Sequence, residues 1–138
     1  MENAKQVIVF RKDLLKGEHG IRKGKLAGQV AHASLGALMK LATKTRTNDT
    51  TTYTFTMHDG DMLDSWLNGI FTKVVVYVEN EEELRSLQLR CDEAGLPNAL
   101  ITDAGNTEFH GVPTVTCLGI GPCACEELDK LTGELKLL

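Results

Sequence analysis

Two β-branched runs flank a helix-like segment of small residues, and this arrangement constrains the fold more than any other feature. The runs are Gln6–Arg11 (QVIVFR) and Thr72–Val78 (TKVVVYV), which are short and apolar enough to be buried strands. Between them, Lys25 to about Thr43 repeats apolar residues at helical spacing. Its many alanines and glycines let such a helix lie close against a sheet. The alternation of strand and helix predicts an α/β protein.

Further strands and helices follow the second run. In chain order they are a helix capped by Asn80 and ended by Gly95, a strand at Asn98–Thr102, a strand at Thr114–Leu118 and a last helix at about Cys123–Leu131. Gly119–Pro122 is expected to form the turn before that helix, and the apolar tail Leu135–Leu138 to dock on the body. The pattern predicts a three-layer α/β/α fold with a four-stranded mixed sheet, in a single domain of residues 1–138.

A threonine-rich insert interrupts this pattern at about residues 43–62. Thr43–Thr56 contains eight threonines, and aromatic and apolar residues alternate with threonines in its second half until Asp59-Gly60. Alternation of this kind is strand periodicity. We therefore expect an inserted Thr-rich hairpin or flap, followed by a short helix at Asp61–Asn68.

Charge is distributed unevenly along the chain, although the net charge is −4. Residues 1–46 carry ten Lys and Arg against three Asp and Glu, whereas residues 47–138 carry five against sixteen. A chain polarised in this way can be acidic overall and still present a basic face to a polyanion. Ordinary solvation of the surface by these charges is the alternative.

Compartment and redox state are constrained by three negative observations. No apolar run is long enough to cross a membrane, and the polar segment Met1–Lys5 does not begin a signal peptide, so a cytoplasmic location is expected. The spacing of the cysteines fits neither an easy disulfide nor a zinc site, so free, buried or half-buried thiols are expected. These cysteines are Cys91, Cys117, Cys123 and Cys125.

Lys25, Gln29 and His32 share one stripe of the first predicted helix, because about 100° per residue places them within roughly 60° of one another. The stripe begins where a loop containing Arg22 and Lys23 enters the helix. The unpaired N–H groups and positive dipole end of a helix start, together with these cations, predict an anion site, and phosphate is its commonest ligand. An ordinary surface lysine and a packed histidine remain the alternatives.

Asp103 is the second candidate, since it ends a predicted strand and opens an Asp-Ala-Gly turn. Strand ends of this kind are where functional residues collect in α/β sheets. Thr107 follows four residues later, and Thr114 and Thr116 share one face of the next strand. A turn aspartate that bonds its own backbone is the alternative.

Motifs for several other chemistries are missing from the sequence. It contains no nucleophile elbow, Walker loop, dinucleotide-binding glycine motif or zinc-protease helix, and its four histidines are scattered. The candidate reagents are therefore Lys, Asp, Thr and His, with no metal and no cofactor expected. Such a set suits polar activation of a water molecule on an ester or phosphate.

Three blocks follow one another along the chain: Arg22–Ala33 (RKGKLAGQVAHA), Asp103–Thr107 (DAGNT) and Thr114–Pro122 (TVTCLGIGP). In order and spacing they resemble the type 2 (archaeal and eukaryotic-type) peptidyl-tRNA hydrolases, and Leu131–Leu138 (LTGELKLL) also matches the family ending. The resemblance implies a dimeric α/β/α protein that hydrolyses, without metal, the ester between a peptide and the tRNA 3′ end. That reaction releases free tRNA for reuse in translation.

The resemblance also carries residues over by motif position. The residues that it implicates in activity are Lys25, Asp103, Thr107 and Thr116. Gln29 and His32 match further motif positions, and Thr114 is a supporting candidate beside them. We hypothesise that Asp103 and Lys25 form a charge-assisted pair that positions a water molecule, and that Lys25 or a threonine hydroxyl stabilises the oxyanion. Thr107 and Thr116 would order the water or the ribose end.

Basic residues near this site would hold tRNA phosphates without reading sequence. The candidates are Lys12, Lys16, Arg22 and Lys23. No membrane and no DNA partner is expected. The chain departs from the family pattern in its longer loop Lys16–Lys23, in Arg22 where glycine is common, and in the Thr-rich insert.

Two alternatives from other classes remain. A non-enzymatic RNA-binding or adaptor protein on the same fold would keep Arg22, Lys23 and Lys25 but would not need Asp103. A nucleotide-binding domain would need an acidic ribose partner, for which Glu79 is the near candidate, and a compact glycine-rich turn that this sequence lacks.

Overall fold

Strands and helices alternate along the chain in the computed structural model, which describes residues 3–138. In chain order the elements are β1 (Ala4–Arg11), a short 3-10 helix (Lys12–Leu15), α1 (Lys23–Met39), β2 (Thr43–Thr47), β3 (Thr50–Thr54), α2 (Met62–Leu67), β4 (Lys73–Val78), α3 (Glu81–Glu93), β5 (Asn98–Asp103), β6 (Thr114–Ala124) and α4 (Cys125–Thr132).

One mixed sheet has the strand order β4-β1-β6-β5. β1 runs parallel to β4 and antiparallel to β6, and β6 runs antiparallel to β5. Parallel pairing of β1 and β4 requires a crossover connection, and α1 lies in the chain between these two strands. The α/β class and the four-stranded mixed sheet predicted from the sequence are therefore confirmed.

Both faces of the sheet are buried. Successive residues of β1 point to opposite sides, and each set packs into a core cluster. Ile8 and Phe10 join a core cluster with Ala33 and Ala37 of α1. Val7 and Val9 join the cluster on the other face, which is covered by α3 and α4 and also includes Leu84, Leu87, Leu118 and Leu128. The molecule thus has the three layers expected of an α/β/α fold.

Small residues bring α1 unusually close to the sheet. A Cβ atom built at Gly119 of β6 would collide with the carbonyl oxygen of Ala33, and Gly36 packs against Ala99 and Ile101 of β5. This contact fixes the position of α1 over β5 and β6. The position matters for function because α1 carries Lys25 and Gln29.

The prediction that Gly119–Pro122 forms a turn is wrong. β6 continues to Ala124 and pairs with β1 from Phe10 back to Ala4. The pairing shifts between Lys5 and Val7, so that Gly121 and Pro122 form a bulge opposite the intervening residue of β1. The glycine at position 119 is required by the close approach of α1 and not by a turn. Because β6 continues where a turn was expected, α4 begins at Cys125 and not at about Cys123.

The threonine-rich hairpin is confirmed, although the limits of the helix that precedes it differ from the expected ones. β2 pairs antiparallel with β3 through a two-residue loop in which Asn48 has a φ of 56°, a conformation suited to tight hairpins. α1 ends at Met39, four residues before the predicted limit, because the chain enters β2 at Thr43. α1 also begins two residues earlier than predicted, at Lys23.

The C-terminal tail docks as predicted, through its backbone. Leu137 forms an isolated bridge with Val76, and Leu138 donates a backbone hydrogen bond to the carbonyl of Val75. The outer edge of β4 is thereby covered, which protects it from pairing with other chains. Within residues 3–138, no helix is long and apolar enough to cross a membrane.

Candidate active site

The end of β5 and the first turns of α1 meet at one edge of the sheet. Nζ of Lys25 lies 2.7 Å from Oδ1 of Asp103, and the two side chains are only 17% and 12% exposed. A charge-assisted hydrogen bond of this length between partly buried groups is among the stronger polar contacts in proteins. The structure thus brings together the two candidates on which the sequence analysis placed most weight.

Asp103 is held by three donors. Its Oδ1 accepts from Lys25 and, at 3.1 Å, from Nε2 of Gln29, and its Oδ2 accepts from the backbone N–H of Gly105 at 2.8 Å. The hydrogen bond from Lys25 lowers the pKa of the Asp103 carboxyl, and burial opposes that effect in part. The carboxylate is therefore ionised and fixed in direction.

The turn after Asp103 depends on Gly105. Its φ is +85°, and a Cβ atom there would collide with the backbone of Val112 across the loop. The tight approach aims the N–H of Gly105 at the carboxylate. The Asx-type bond foreseen as the alternative role of Asp103 is thus present, and it coexists with the ion pair to Lys25.

Gln29 links the pair to the sheet. Its side chain is buried, and its Oε1 accepts a 2.6 Å hydrogen bond from Oγ1 of Thr116, which fixes the amide so that Nε2 faces Asp103. Thr116 is fully buried. Its hydroxyl therefore acts on the site through Gln29, and the expectation that it orders water or the ribose end directly does not fit its position.

Thr107 and Phe109 form the outer side of the site. Oγ1 of Thr107 accepts from Lys25 at 2.8 Å, and Nζ of Lys25 lies 5.6 Å from the centre of the Phe109 ring, a cation–π contact. Thr107 is exposed, so its own O–H is available to a ligand. Two of the three ammonium protons of Lys25 are thus committed to Asp103 and Thr107.

A pocket of about 390 Å³ opens beside Lys25, lined by Arg22, Gly24, Lys25, Thr107 and Glu108. Glu108 closes one side of it, because its carboxylate accepts a 2.6 Å hydrogen bond from Nε of Arg22. That contact lowers the pKa of the Glu108 carboxyl. The pocket therefore joins the Lys25–Asp103 pair to the exposed guanidinium of Arg22.

Comparison with known proteins identifies the family. The family model described as peptidyl-tRNA hydrolase PTH2 matches residues 4–138. Curated relatives named peptidyl-tRNA hydrolase include those of Methanopyrus kandleri, 42% identical over 97% of both chains, and Thermococcus onnurineus, 40% identical with the same coverage. That of Methanothermobacter thermautotrophicus is 39% identical over 97% of this chain and 99% of its own.

The chain belongs to the peptidyl-tRNA hydrolase PTH2 family. The resemblance stated from the sequence is confirmed. Among the candidates that it named, the structure brings Lys25, Asp103, Thr107 and Gln29 into contact. Membership of this family also disfavours the alternative of a non-enzymatic adaptor. Such an adaptor would not need Asp103, so the presence of Asp103 agrees with an enzyme.

Other candidate residues lie apart from these contacts. His32 is exposed on the Lys25 stripe, and the hydroxyl of Thr114 donates to the carbonyl of Val112, so it shapes the loop that carries Thr107. Lys12 lies over the ring of Tyr77, and Lys16 pairs with Glu79. Lys23 is exposed in the first turn of α1. The structure places these side chains outside the hydrogen-bond network around Asp103.

Three of the four cysteines are buried and are poor candidates for a nucleophile. Burial raises the pKa of Cys91 and of Cys117 to about 11 and that of Cys123 to about 12, so these thiols are protonated at neutral pH. None of the four, all of which lie in the described part of the chain, forms a disulfide, as predicted. Across residues 3–138, no group of three or more His, Cys, Asp or Glu side chains is arranged to hold a metal ion.

Glu108 and Phe109 were not among the residues predicted from the sequence, and Gly105 was predicted only as part of the turn after Asp103. Gly105 carried a signal, since it stands two residues after Asp103 in a turn. Glu108 and Phe109 reach Arg22 and Lys25 only because the loop 104–113 folds back over the start of α1. That closure is a tertiary contact which residue spacing does not encode.

Proposed function

We propose that this protein hydrolyses the ester that links a peptide to the 3′-terminal ribose of tRNA, releasing free tRNA for reuse in translation. The observation that carries the proposal is the Lys25–Asp103 pair, held by Gln29, Thr107 and the Gly105 N–H beside an open pocket. Its relatives named peptidyl-tRNA hydrolase, which match nearly the whole chain, support the choice of substrate.

Lys25 is proposed to stabilise the oxyanion. An ammonium has three donors, and the bonds to Asp103 and Thr107 use two of them. The third is directed at the carbonyl oxygen of the ester, where negative charge develops as water adds to the carbonyl carbon. Because the ammonium is already fixed by its two partners, it need not reorganise during the reaction.

Asp103 and Thr107 are proposed to place the attacking water. The lowered pKa makes Asp103 a weak base, so its main contribution is to orient the water through Oδ2. The hydroxyl of Thr107 donates to the water or to a ribose oxygen. As the ester C–O bond breaks, the ribose oxygen takes one proton of the attacking water, and the peptide leaves as a carboxylate after the second proton passes to solvent.

Gln29, Thr116, Thr114 and His32 are assigned supporting roles. Gln29 and Thr116 position Asp103, and Thr114 shapes the loop that carries Thr107. His32 lies on the exposed flank of α1, so we assign it to contact with the substrate and not to the chemical step.

The nucleic acid is proposed to be held by cations of the 3-10 helix, of the loop that follows it and of the start of α1. They are Lys12, Lys16, Arg22 and Lys23. Since these groups would contact phosphates, activity should fall as salt rises. The ester-linked substrate makes RNA, and not DNA, the partner, and its role in translation makes the cytoplasm the site of action.

The reaction is proposed to need no metal ion, because Lys25 supplies the positive charge at the carbonyl that a metal would otherwise provide. We also propose that residues 1–138 act as one domain, since both core clusters share the same central sheet.

A homodimer is proposed through the apolar groove between α1 and β4. The groove has a volume of about 430 Å³ and includes Val30, Leu35, Trp66 and Phe71. Leu35 is 59% exposed and Phe71 39%, which is unusual for large apolar side chains that adjoin one another. Light scattering of the wild type and of Leu35→Glu tests this, since the charge should yield monomers. An unchanged molecular mass would contradict the proposed interface.

The reaction is tested by incubating the purified protein with peptidyl-tRNA and with aminoacyl-tRNA, in the presence and absence of a chelator. Cleavage of peptidyl-tRNA alone, unaffected by the chelator, is expected. Binding of peptidyl-tRNA without cleavage would instead favour the adaptor alternative.

A further inference from the structure

The hairpin β2–β3 stands away from the body of the molecule. All ten residues of its two strands are exposed, and it follows α1 at the end opposite to Lys25. Fourteen residues separate Lys25 from Met39, which corresponds to about 21 Å along the helix axis. The hairpin is therefore not a flap over the site, and its role must be sought at its own end of the molecule.

The two faces of the hairpin differ in chemistry. Residues that pair directly across strands share a face, so one face carries six threonines. These are Thr43, Thr45, Thr47, Thr50, Thr52 and Thr54. The other face carries the pairs Lys44–Tyr53 and Arg46–Thr51. It is a cationic face with one aromatic ring, on an element that packs no apolar surface of its own.

Side-chain contacts hold the two cations in place on that face. Nζ of Lys44 lies 5.9 Å from the centre of the Tyr53 ring, and Nη1 of Arg46 donates to Oγ1 of Thr51 at 2.9 Å. Neither contact neutralises the charge, because both partners are uncharged. Residues two apart on a strand lie about 7 Å from each other, so the face presents a short row of positive charge.

The segment that joins the site to the hairpin carries no negative side chain of its own. No Asp or Glu occurs between Glu18 and Asp49, although the chain has nineteen in total. That segment includes all of α1 and β2. His32, exposed on α1, lies about halfway along the helix between Lys25 and Met39. A nucleic acid with its end at Lys25 can thus follow α1 to the hairpin without meeting a carboxylate of this segment.

We propose that Lys44 and Arg46 bind the sugar–phosphate backbone of the tRNA acceptor duplex, away from its 3′ end. The distance from the site is too great for the terminal nucleotide and suits the adjoining duplex. Double-stranded RNA is recognised mainly through phosphates and 2′-hydroxyl groups, which suit Lys, Arg and threonine hydroxyls. This inference rests on the proposed tRNA substrate and adds a second contact region to it.

Binding of fluorescently labelled, deacylated tRNA, measured at salt concentrations from about 50 to 200 mM, tests the proposal. The variant K44Q/R46Q should lower the slope of log affinity against log salt by about 1.5 to 2, as expected for two lost phosphate contacts. Over that range the wild type should therefore lose about tenfold more affinity than the variant. K44R/R46K should keep the wild-type slope, since it keeps both charges.

The matched control is T45A/T52A, which alters the opposite face of the same hairpin without changing charge, and it should keep the wild-type slope. Equal slopes for the wild type and K44Q/R46Q would overturn the proposal. A change of oligomeric state in K44Q/R46Q with an unchanged slope would also overturn it, and would assign the hairpin to contact between copies. Hydrolysis of a short peptidyl-oligonucleotide by the wild type tests the proposed function separately.

Discussion

Nζ of Lys25 lies 2.7 Å from Oδ1 of Asp103, although the two residues are 78 positions apart in the chain. The contact exists because α1 packs closely on β5 and β6, which places its first turns beside the end of β5. Gln29, one turn further along α1, donates to the same carboxylate oxygen. The pair is thus built on a helix and a strand end, and its orientation is set by the core of the molecule.

Thr116→Val tests whether the buried hydroxyl orients Gln29. Valine keeps the volume but removes the donor to Oε1, so the amide loses its fixed orientation toward Asp103. We expect kcat to fall about 10- to 100-fold, as misplacement of a reacting group does. The free energy of unfolding should fall by about 1–2 kcal/mol, because a buried acceptor is left unpaired.

The control for that variant is Thr132→Val. Thr132 is also buried, and its hydroxyl donates to the carbonyl of Leu128 within α4, away from the site. It should keep kcat, because the change removes a buried hydroxyl without touching the site. Equal kcat values for the two variants would show that Thr116 has no special connection to the site.

Gly119→Ala tests the close approach of α1. The added methyl group meets the carbonyl oxygen of Ala33, and overpacking of this kind costs about 1–3 kcal/mol of unfolding free energy. Gly28→Ala, at an open and exposed position of α1, should instead stabilise the protein by up to about 1 kcal/mol through helix propensity. Urea unfolding of both variants measures the difference, and a Gly119→Ala protein as stable as the wild type would contradict the packing.

Gly119 also shows how much of the fold and of the site can be predicted from the sequence. The element types and the three layers followed from apolar periodicity. Lys25 and Asp103 became candidates from residue type at a helix start and a strand end, and the family resemblance assigned them to the site. Gly119 was misread as a turn because its requirement comes from α1, a contact between elements. The burial of Thr116 and the contacts of Glu108 and Phe109 were missed for the same reason.

The lowered pKa of Asp103 predicts a pH dependence of stability. The hydrogen bond from Lys25 depresses the folded-state pKa below the unfolded value of about 3.9. The resulting stabilisation is fully present above the unfolded pKa and is lost as pH falls through the lower folded-state pKa. Between about pH 5 and pH 3, the free energy of unfolding should therefore fall more steeply for the wild type than for Asp103→Asn.

Urea unfolding of both proteins across this pH range makes the comparison. Other carboxyls with lowered pKa, such as Glu79 and Asp64, contribute equally to both proteins, so the difference isolates Asp103. Parallel pH profiles would show that the ion pair does not stabilise the folded state.

The most direct test is the rate of ester cleavage in a single turnover of peptidyl-tRNA by the wild type and by Lys25→Ala. Circular dichroism and tRNA binding establish that the variant is folded and still engages its substrate. The cleavage rate should fall by at least about 100-fold, because a donor to the oxyanion is removed. A folded Lys25→Ala protein that cleaves peptidyl-tRNA at the wild-type rate would contradict this role of Lys25.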